Sequence, residues 1–370
     1  MKLSIGLTGA GGFSEFSVEA FLLNKQISLE AVYDKDPQRA RILAEKHQAK
    51  TYGSLPEMLG DQRINMIYIA TPPYLHYAQS KEALLAGRHV ICEKPAATDP
   101  MQARELYELA RDKGLLYVVN LMQPYNPLYR QVKEIIDEKL LGEFLHGFFE
   151  NYASDENQGP EHWMWNAEKS GGIFIEHAVH FFDMFEGWLG KGKHVSSQKV
   201  RRQGYKQDIF SRVQSVGLYR KGLVNMYHGF DQPGRMDRQE IRLLFEKGDI
   251  TLYEWIPVRA NIQALVTKEQ QERLTEIFPG ADVKLLEKYT GEEKKCRGNF
   301  REYEIDSKIL LEYGKKENKE NVYRMILKEM IADQMKWIQD RSHKRVITGL
   351  NGLNSLEMAF EAEQKAQILE

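Results

Sequence analysis

The chain has 370 residues, 42% hydrophobic and 28% charged, with 51 Lys+Arg against 53 Asp+Glu and two cysteines. That length exceeds one typical core and predicts two domains, while balanced charge without a long single-sign block argues against nucleic acid or a membrane surface as partner. No segment approaches the roughly 20 apolar residues that span a bilayer, no signal peptide is recognisable, and Cys92 sits in a predicted buried strand, so a cytoplasmic protein without disulfides is expected.

In chain order, short apolar strands are predicted at Leu3–Thr8, Leu29–Tyr33, Met66–Ala70, His89–Cys92 and Leu116–Val119. Helices fall between them, near Ser14–Leu23, Pro37–His47, Tyr74–Ala86 and Met101–Lys113. Asp36-Pro37 and Asp99-Pro100 read as a cap followed by a first-turn proline, and Gly114 as a stop. The alternation predicts a mostly parallel sheet covered on both faces. After about Asn120 the pattern changes. Pro124 and Pro127 interrupt the chain, and a helix follows at Leu128–Glu138, ended by Gly142. Strands are then expected at Phe144–Tyr152, Val195–Arg202, Ile209–Tyr219, Leu223–Phe230, Glu240–Phe245 and Ile250–Trp255, with turns at Lys221-Gly222 and Lys247-Gly248-Asp249. They suggest an antiparallel sheet open on one face. Gly291–Lys308 reads as an exposed excursion, and helices are expected at Asn321–Arg341 and Asn351–Leu369, the last without a legible packing partner.

Gly9-Ala10-Gly11-Gly12-Phe13-Ser14 follows the first strand and opens the first helix. Gly9 permits a tight turn, Gly11 lets backbone approach a pyrophosphate, and the helix amides face its charge. Ser14 replaces the third glycine with another small residue. Asp34 ends the second strand 25 positions after Gly9, where an acid meets the adenosine ribose hydroxyls. Its carboxylate favours NAD over NADP, although Lys35 and Arg39 lie nearby. Glu93-Lys94-Pro95 ends the buried strand His89–Cys92, and ligands of doubly wound sheets bind beyond the carboxyl ends of their strands.

These elements, taken in order, resemble the Gfo/Idh/MocA oxidoreductase family. The matching text is Ala70-Thr71-Pro72-Pro73 with His76, Ala83 through Val90, Glu93-Lys94-Pro95, Gly171-Gly172 leading to Glu176, His180 and Asp183, then Trp188-Leu189-Gly190 and Asn351–Leu356. The resemblance implies an α/β fold: a Rossmann domain, 1–123, and a second α+β domain, 124–370, with a large, mostly antiparallel open sheet. It implies NAD or NADP held by Gly9, Gly11, Gly12, Phe13, Asp34, Thr71, Pro72, His76, Glu93 and Lys94, and a sugar, cyclitol or related polyol in the interdomain cleft. Lys94 corresponds to the family's active-site lysine and His180 to its usual proton acceptor, with Glu93 and Pro95 placing the lysine beside the nicotinamide. Three departures stand out: Glu176 where Asp is common, a second imidazole at His177, and Pro124-Tyr125-Asn126-Pro127 where many relatives carry an Arg-Phe-Asn-Pro-like segment.

On a helix, Glu176 and His180 are four apart and Asp183 three further, so all three fall near one face. Oxidising a secondary alcohol requires a base for the hydroxyl proton, which suits His180, and a cation for the developing alkoxide, which suits Lys94. Glu176 supports either. Glu and His at this spacing can share a metal with His162 or His177, but no Cys/His cluster reinforces that use and none is expected. In Glu161-His162-Trp163-Met164-Trp165-Asn166, Trp163 is a substrate-side candidate, with core packing the plainer reading of either indole. Lys94, Trp163, Glu176, His177 and His180 form the expected substrate set. Two other functions fit the same residues: glycoside cleavage assisted by a retained, recycled NAD, and non-catalytic NAD(H) sensing. The open sheet suggests a homodimer or homotetramer.

Overall fold

A computed structural model describes residues 2–155, 157–205, 208–220, 222–314 and 318–369. The first half builds a six-stranded parallel sheet in the order β3-β2-β1-β4-β5-β6. Its elements are β1 (Leu3–Thr8), α1 (Gly12–Leu22), β2 (Ile27–Tyr33), α2 (Pro37–His47), β3 (Lys50–Thr51), α3 (Leu55–Leu59), β4 (Met66–Ile69), α4 (Pro73–Leu85), β5 (His89–Cys92), α5 (Pro100–Asp112) and β6 (Tyr117–Val119). The strand order reverses between β1 and β4, and the Gly9 turn sits at that switch point. Asp36 and Asp99 cap α2 and α5 as their sequences predict, each accepting a backbone N–H two residues on. The strip β3–α3 is additional to the predicted set.

Beyond α6 (Pro127–Asp137) and β7 (Phe144–Tyr152), a short α7 (Ala167–Ser170) leads through a π-helical turn at Phe174–Ala178 into α8 (Val179–Leu189). The second sheet continues with β8 (Lys193–Arg201), β9 (Phe210–Tyr219), β10 (Gly222–Gly229), β11 (Arg238–Phe245), β12 (Gly248–Tyr253) and β13 (Arg259–Val266). Then come α9 (Lys268–Ile277), β14 (Asp282–Lys288), the hairpin β15 (Lys295–Gly298) and β16 (Arg301–Glu304), β17 (Ser307–Tyr313), α10 (Lys319–Gln339), α11 (Gly349–Lys365) and β18 (Gln367–Leu369). Among the described residues the second sheet has ten strands, ordered β14-β17-β13-β12-β11-β7-β10-β9-β8-β18. Most pairings are antiparallel; β7 with β10 and β8 with β18 run parallel.

The predicted strands occur within a few residues of their expected bounds, and β13, β14, β17 and α9 are additional. Lys221, half of one predicted turn, lies outside the described residues. The 291–308 excursion is mostly exposed but contains the β15–β16 hairpin. The final predicted helix stops at Lys365: Ala366 is extended, and Gln367–Leu369 pair with Gln198–Val200.

Two helices tie the halves together. Helix α10 returns to the first sheet, where Tyr323, Ile326 and Met330 share a core with Leu3, Ile5 and Phe21. Helix α11 packs on α8 and β8 of the second half and on α5 and β6 of the first. Gly352 allows that contact, since a Cβ there would stand 2.4 Å from Val119 Cγ2.

Candidate active site

The β1–α1 turn needs glycine at position 9: φ is +93°, and a Cβ would lie 2.5 Å from the Ala70 carbonyl oxygen. Next to it, Gly11 and Gly12 face open space, and α1 begins without a side-chain cap. Unpaired helix amides beside bare backbone suit a dinucleotide phosphate. Ser14 is buried and bonds the Gly11 carbonyl. Asp34 receives the Ala10 amide at 2.7 Å and the Asp36 amide at 2.8 Å, one on each oxygen. Each oxygen retains a lone pair for a ribose hydroxyl. The residues present therefore fit NAD(P).

At the end of β5, the Lys94-Pro95 peptide is cis. Glu93 turns into the interior, accepting from Tyr68 Oη at 2.5 Å and Asn120 Nδ2 at 2.8 Å. Its burial raises its pKa, partly offset by those two donors. His76 is also buried, with Nδ1 2.7 Å from the Pro95 carbonyl and Nε2 2.6 Å from that of Thr71. It stitches the Thr71-Pro72 turn to the Lys94-Pro95 turn. Pro72 caps α4, and the Thr71 hydroxyl donates to Gln79. Phe13 is 40% exposed and leans on Phe16 and Tyr323.

Lys94 Nζ reaches across the cleft to Glu176, donating to Oε1 at 2.6 Å and to the backbone carbonyl at 2.8 Å. The two distant stretches thus meet. The turn carrying Glu176 is π-helical rather than α-helical, so the expected one-face alignment is altered. Glu176, His177 and His180 stay near Lys94, whose charge depresses the proton affinity of both imidazoles after burial has done so first. Asp183 leaves the group. It lines a separate cavity of about 340 Å³ with Tyr129, Arg130 and Asn351, and Asn351 Nδ2 donates to it at 3.0 Å.

His180 is 7% exposed with its Nδ1 sealed and unpartnered. Its ring sits 6.0 Å from that of Trp255, which meets Tyr323 at 5.1 Å, edge to face. His177 Nδ1 lies 2.9 Å from Nδ1 of the fully buried His228. Trp163 is half-buried beside His162, whereas Trp165 is buried against Phe230. Among the described residues no three His, Cys, Asp or Glu side chains converge to hold a metal ion. The departing Pro124–Pro127 segment is structural here: Tyr125 Oη donates to Asp333 and Asn126 Nδ2 to the Pro257 carbonyl.

His228, Trp255 and Tyr323 are absent from the sequence-derived set. His228 had one available signal, its inward register with Val224 and Met226 in an alternating strand. Trp255 and Tyr323 had none, because only tertiary folding brings them to the cleft.

A parallel sheet with a glycine turn at its switch point, facing a lysine–imidazole cleft beneath a large mixed sheet, defines a nucleotide-dependent oxidoreductase architecture. The chain belongs to the GFO/IDH/MocA family. Residues 3–121 match the family's oxidoreductase NAD-binding Rossmann model, and residues 129–251 match its C-terminal domain. It is similar to dTDP-3,4-didehydro-2,6-dideoxy-alpha-D-glucose 3-reductase of Actinomadura kijaniata, 34% identical over 40% of this chain and 45% of the relative. The chain spans about half the length of the curated relatives it matches first. Among solved structures, KijD10, a 3-ketoreductase from Actinomadura kijaniata in complex with NADP and TDP-benzene, superposes with TM-score 0.76 at 16% identity, covering 100% of this chain and 99% of that one. The WlbA dehydrogenase from Bordetella pertussis in complex with NADH and UDP-GlcNAcA gives TM-score 0.77 at 18% identity, covering 98% and 96%. These likenesses establish the fold.

Proposed function

We propose that this protein is an NAD-dependent dehydrogenase or reductase acting on a secondary alcohol, or the matching ketone, of a sugar, sugar derivative or cyclitol. The observation that carries this reading is the junction of Lys94 with the Glu176–His180 turn beside an uncapped glycine loop. A bound nicotinamide would supply the hydride acceptor or donor; Gly9, Gly11, Gly12, Phe13, Asp34, Thr71 and Pro72 would hold the dinucleotide, supported by His76 and Glu93. Asp34 favours NAD, because a carboxylate repels a 2′-phosphate.

Lys94 has three protons and gives two to Glu176, leaving one for the substrate oxygen. Its charge stabilises the developing alkoxide in a site sheltered from water. His180 takes the hydroxyl proton at Nε2. The base-competent ring carries its own proton on the sealed Nδ1, an unsatisfied donor that costs about 1–3 kcal/mol. A substrate hydroxyl donating to Nε2 selects that tautomer and offsets part of the cost. Glu176 holds Lys94 in place, and Trp163 and His177 border the substrate side.

Support for sugar-like substrates comes from the relatives and from a cleft rich in imidazole, amine and indole groups. The outer face of the second sheet exposes Leu145, Leu218 and Leu223 alongside Phe148, Tyr152 and Tyr227, which suits a homodimer or homotetramer. No helix among the described residues is long and apolar enough to cross a membrane. The test is NADH formation at 340 nm across a polyol and nucleotide-sugar panel. Turnover that disappears in Lys94→Ala supports the assignment; turnover undiminished in that variant refutes it.

A further inference from the structure

Strand β10 buries His228 completely beside the stacked rings of Phe149 and Phe181, 5.1 and 5.8 Å away. Its Nδ1 stands 2.9 Å from Nδ1 of His177, and its Nε2 is sealed without a partner. Nitrogens at that distance share one proton, so one ring donates and the other accepts. Burial keeps both rings neutral, pushing His177 down to about 3 and His228 well below its usual range.

Two arrangements satisfy the shared bond. If His177 donates, His228 must carry its remaining proton on Nε2, leaving a buried N–H with no acceptor. If His228 donates, its Nε2 is bare and buries only a lone pair, and His177 carries its proton on Nε2. By analogy with backbone groups, whose orphaned buried N–H groups are rarer than under-used acceptors, the second arrangement is favoured. The His177 Nδ1 edge is then occupied, and the Nε2 edge of this half-buried ring is the one left for a ligand.

Resting on the dehydrogenase reading, we propose that His228 is a positioning residue: by donating its Nδ1–H it fixes His177 as a neutral Nε2–H donor that holds a second substrate oxygen next to the reacting carbon. The roles then divide cleanly. His180 receives a proton, Lys94 supports the reacting oxygen, and His177 grips its neighbour. A site built to hydrogen-bond an oxygen discriminates against a substrate lacking it, so the preferred substrate carries a hydroxyl, carbonyl or carboxylate oxygen adjacent to the oxidised carbon, and the deoxy analogue is a poor one.

The test uses protein labelled with 15N-histidine, with His177 signals assigned by their loss in His177→Gln. Long-range 1H–15N spectra of the wild type are expected to show His177 protonated on Nε2 and bare on Nδ1. His228→Leu should shift that pattern, and His228→Asn, whose amide can donate, should restore it. On the best polyol of the panel, His228→Leu is expected to raise KM about fivefold with kcat within twofold, as loss of one neutral hydrogen bond implies, and His228→Asn to recover most of it. A His177 proton on Nδ1 would overturn the inference, as would a His228→Leu enzyme whose KM is unchanged. Should His228→Leu not fold, the wild-type spectrum and His228→Asn still decide. Absence of NADH formation by wild type would instead sink the dehydrogenase reading, while the spectrum would judge the tautomer independently.

Discussion

Lys94 is the residue on which the two halves of the molecule agree. Its pair with Glu176 is mostly buried, at 19% and 10% side-chain exposure. Removing one member of such a pair strands the other, at about 3–5 kcal/mol, so Lys94→Ala should lose stability as well as activity. Turnover is expected to fall by about 10²–10³-fold or more while NADH binding, measured by fluorescence titration, changes only a few-fold. His180→Ala should cost about 10²–10⁴-fold in kcat by the same assay. Burial, then Lys94 and His177, holds His180 well below the usual imidazole range. A base works in its neutral form, which exists above its pKa, so a lowered pKa extends activity toward acid. For alcohol oxidation, kcat/KM should therefore stay flat below the ordinary ~6.5, and an acid limb centred at or above that value would contradict the assignment. Lys94, Glu176, His177 and His180 were legible because each lies in a short ordered motif. His228 was not, because one inward histidine in a strand is indistinguishable from core until its partner at 177 folds against it.

At the scale of elements, α8 and α11 meet through Asp183 and Asn351. Burial raises Asp183 to about 7, Asn351 pulls it partly back, and Glu186 adds to the rise. The folded chain thus keeps a proton that the unfolded chain releases from about pH 4 upward, and stability falls as pH rises through that window to about 7. Asp183→Asn removes the penalty. Its melting temperature should exceed wild type at pH 8 and converge with it below about pH 4, the pH 8 gap being on the order of a few kcal/mol. A pH-independent difference would contradict this. Gly352 makes a second joint. Replacing a helix-interior glycine by alanine ordinarily gains about 1 kcal/mol, but here the new methyl meets Val119 at 2.4 Å. Overpacking costs about 1–3 kcal/mol, so Gly352→Ala should lower the melting temperature. Strands and capped helices of the first sheet were readable from alternation, Asp-Pro caps and glycine stops. The π-helical turn was not, since Phe174–Ala178 carries a helical pattern and only its tertiary setting widens it. The terminal strand was hidden likewise, because Gln367–Leu369 acquires its pairing from β8 alone.

For the molecule as a whole, the crossing helices decide how the cleft is held. Helix α10 shares the first sheet's core although the strands preceding it belong to the second, and α11 spans both. Their amphipathic patterns announced helices, but not which sheet they would cover. A ligand that binds only the folded state stabilises it by about 2.7 kcal/mol at a hundredfold excess over Kd. NADH should accordingly raise the melting temperature more than NADPH at equal concentration, and the reverse order would contradict the role given to Asp34. The most direct measurement is a crystal structure with NADH and the oxidised product. The account predicts the nicotinamide ring in the cleft with the product oxygen within hydrogen-bond reach of both Lys94 Nζ and His180 Nε2. A product oxygen held by neither group, or a dinucleotide seated away from the Gly9–Phe13 turn, would contradict it.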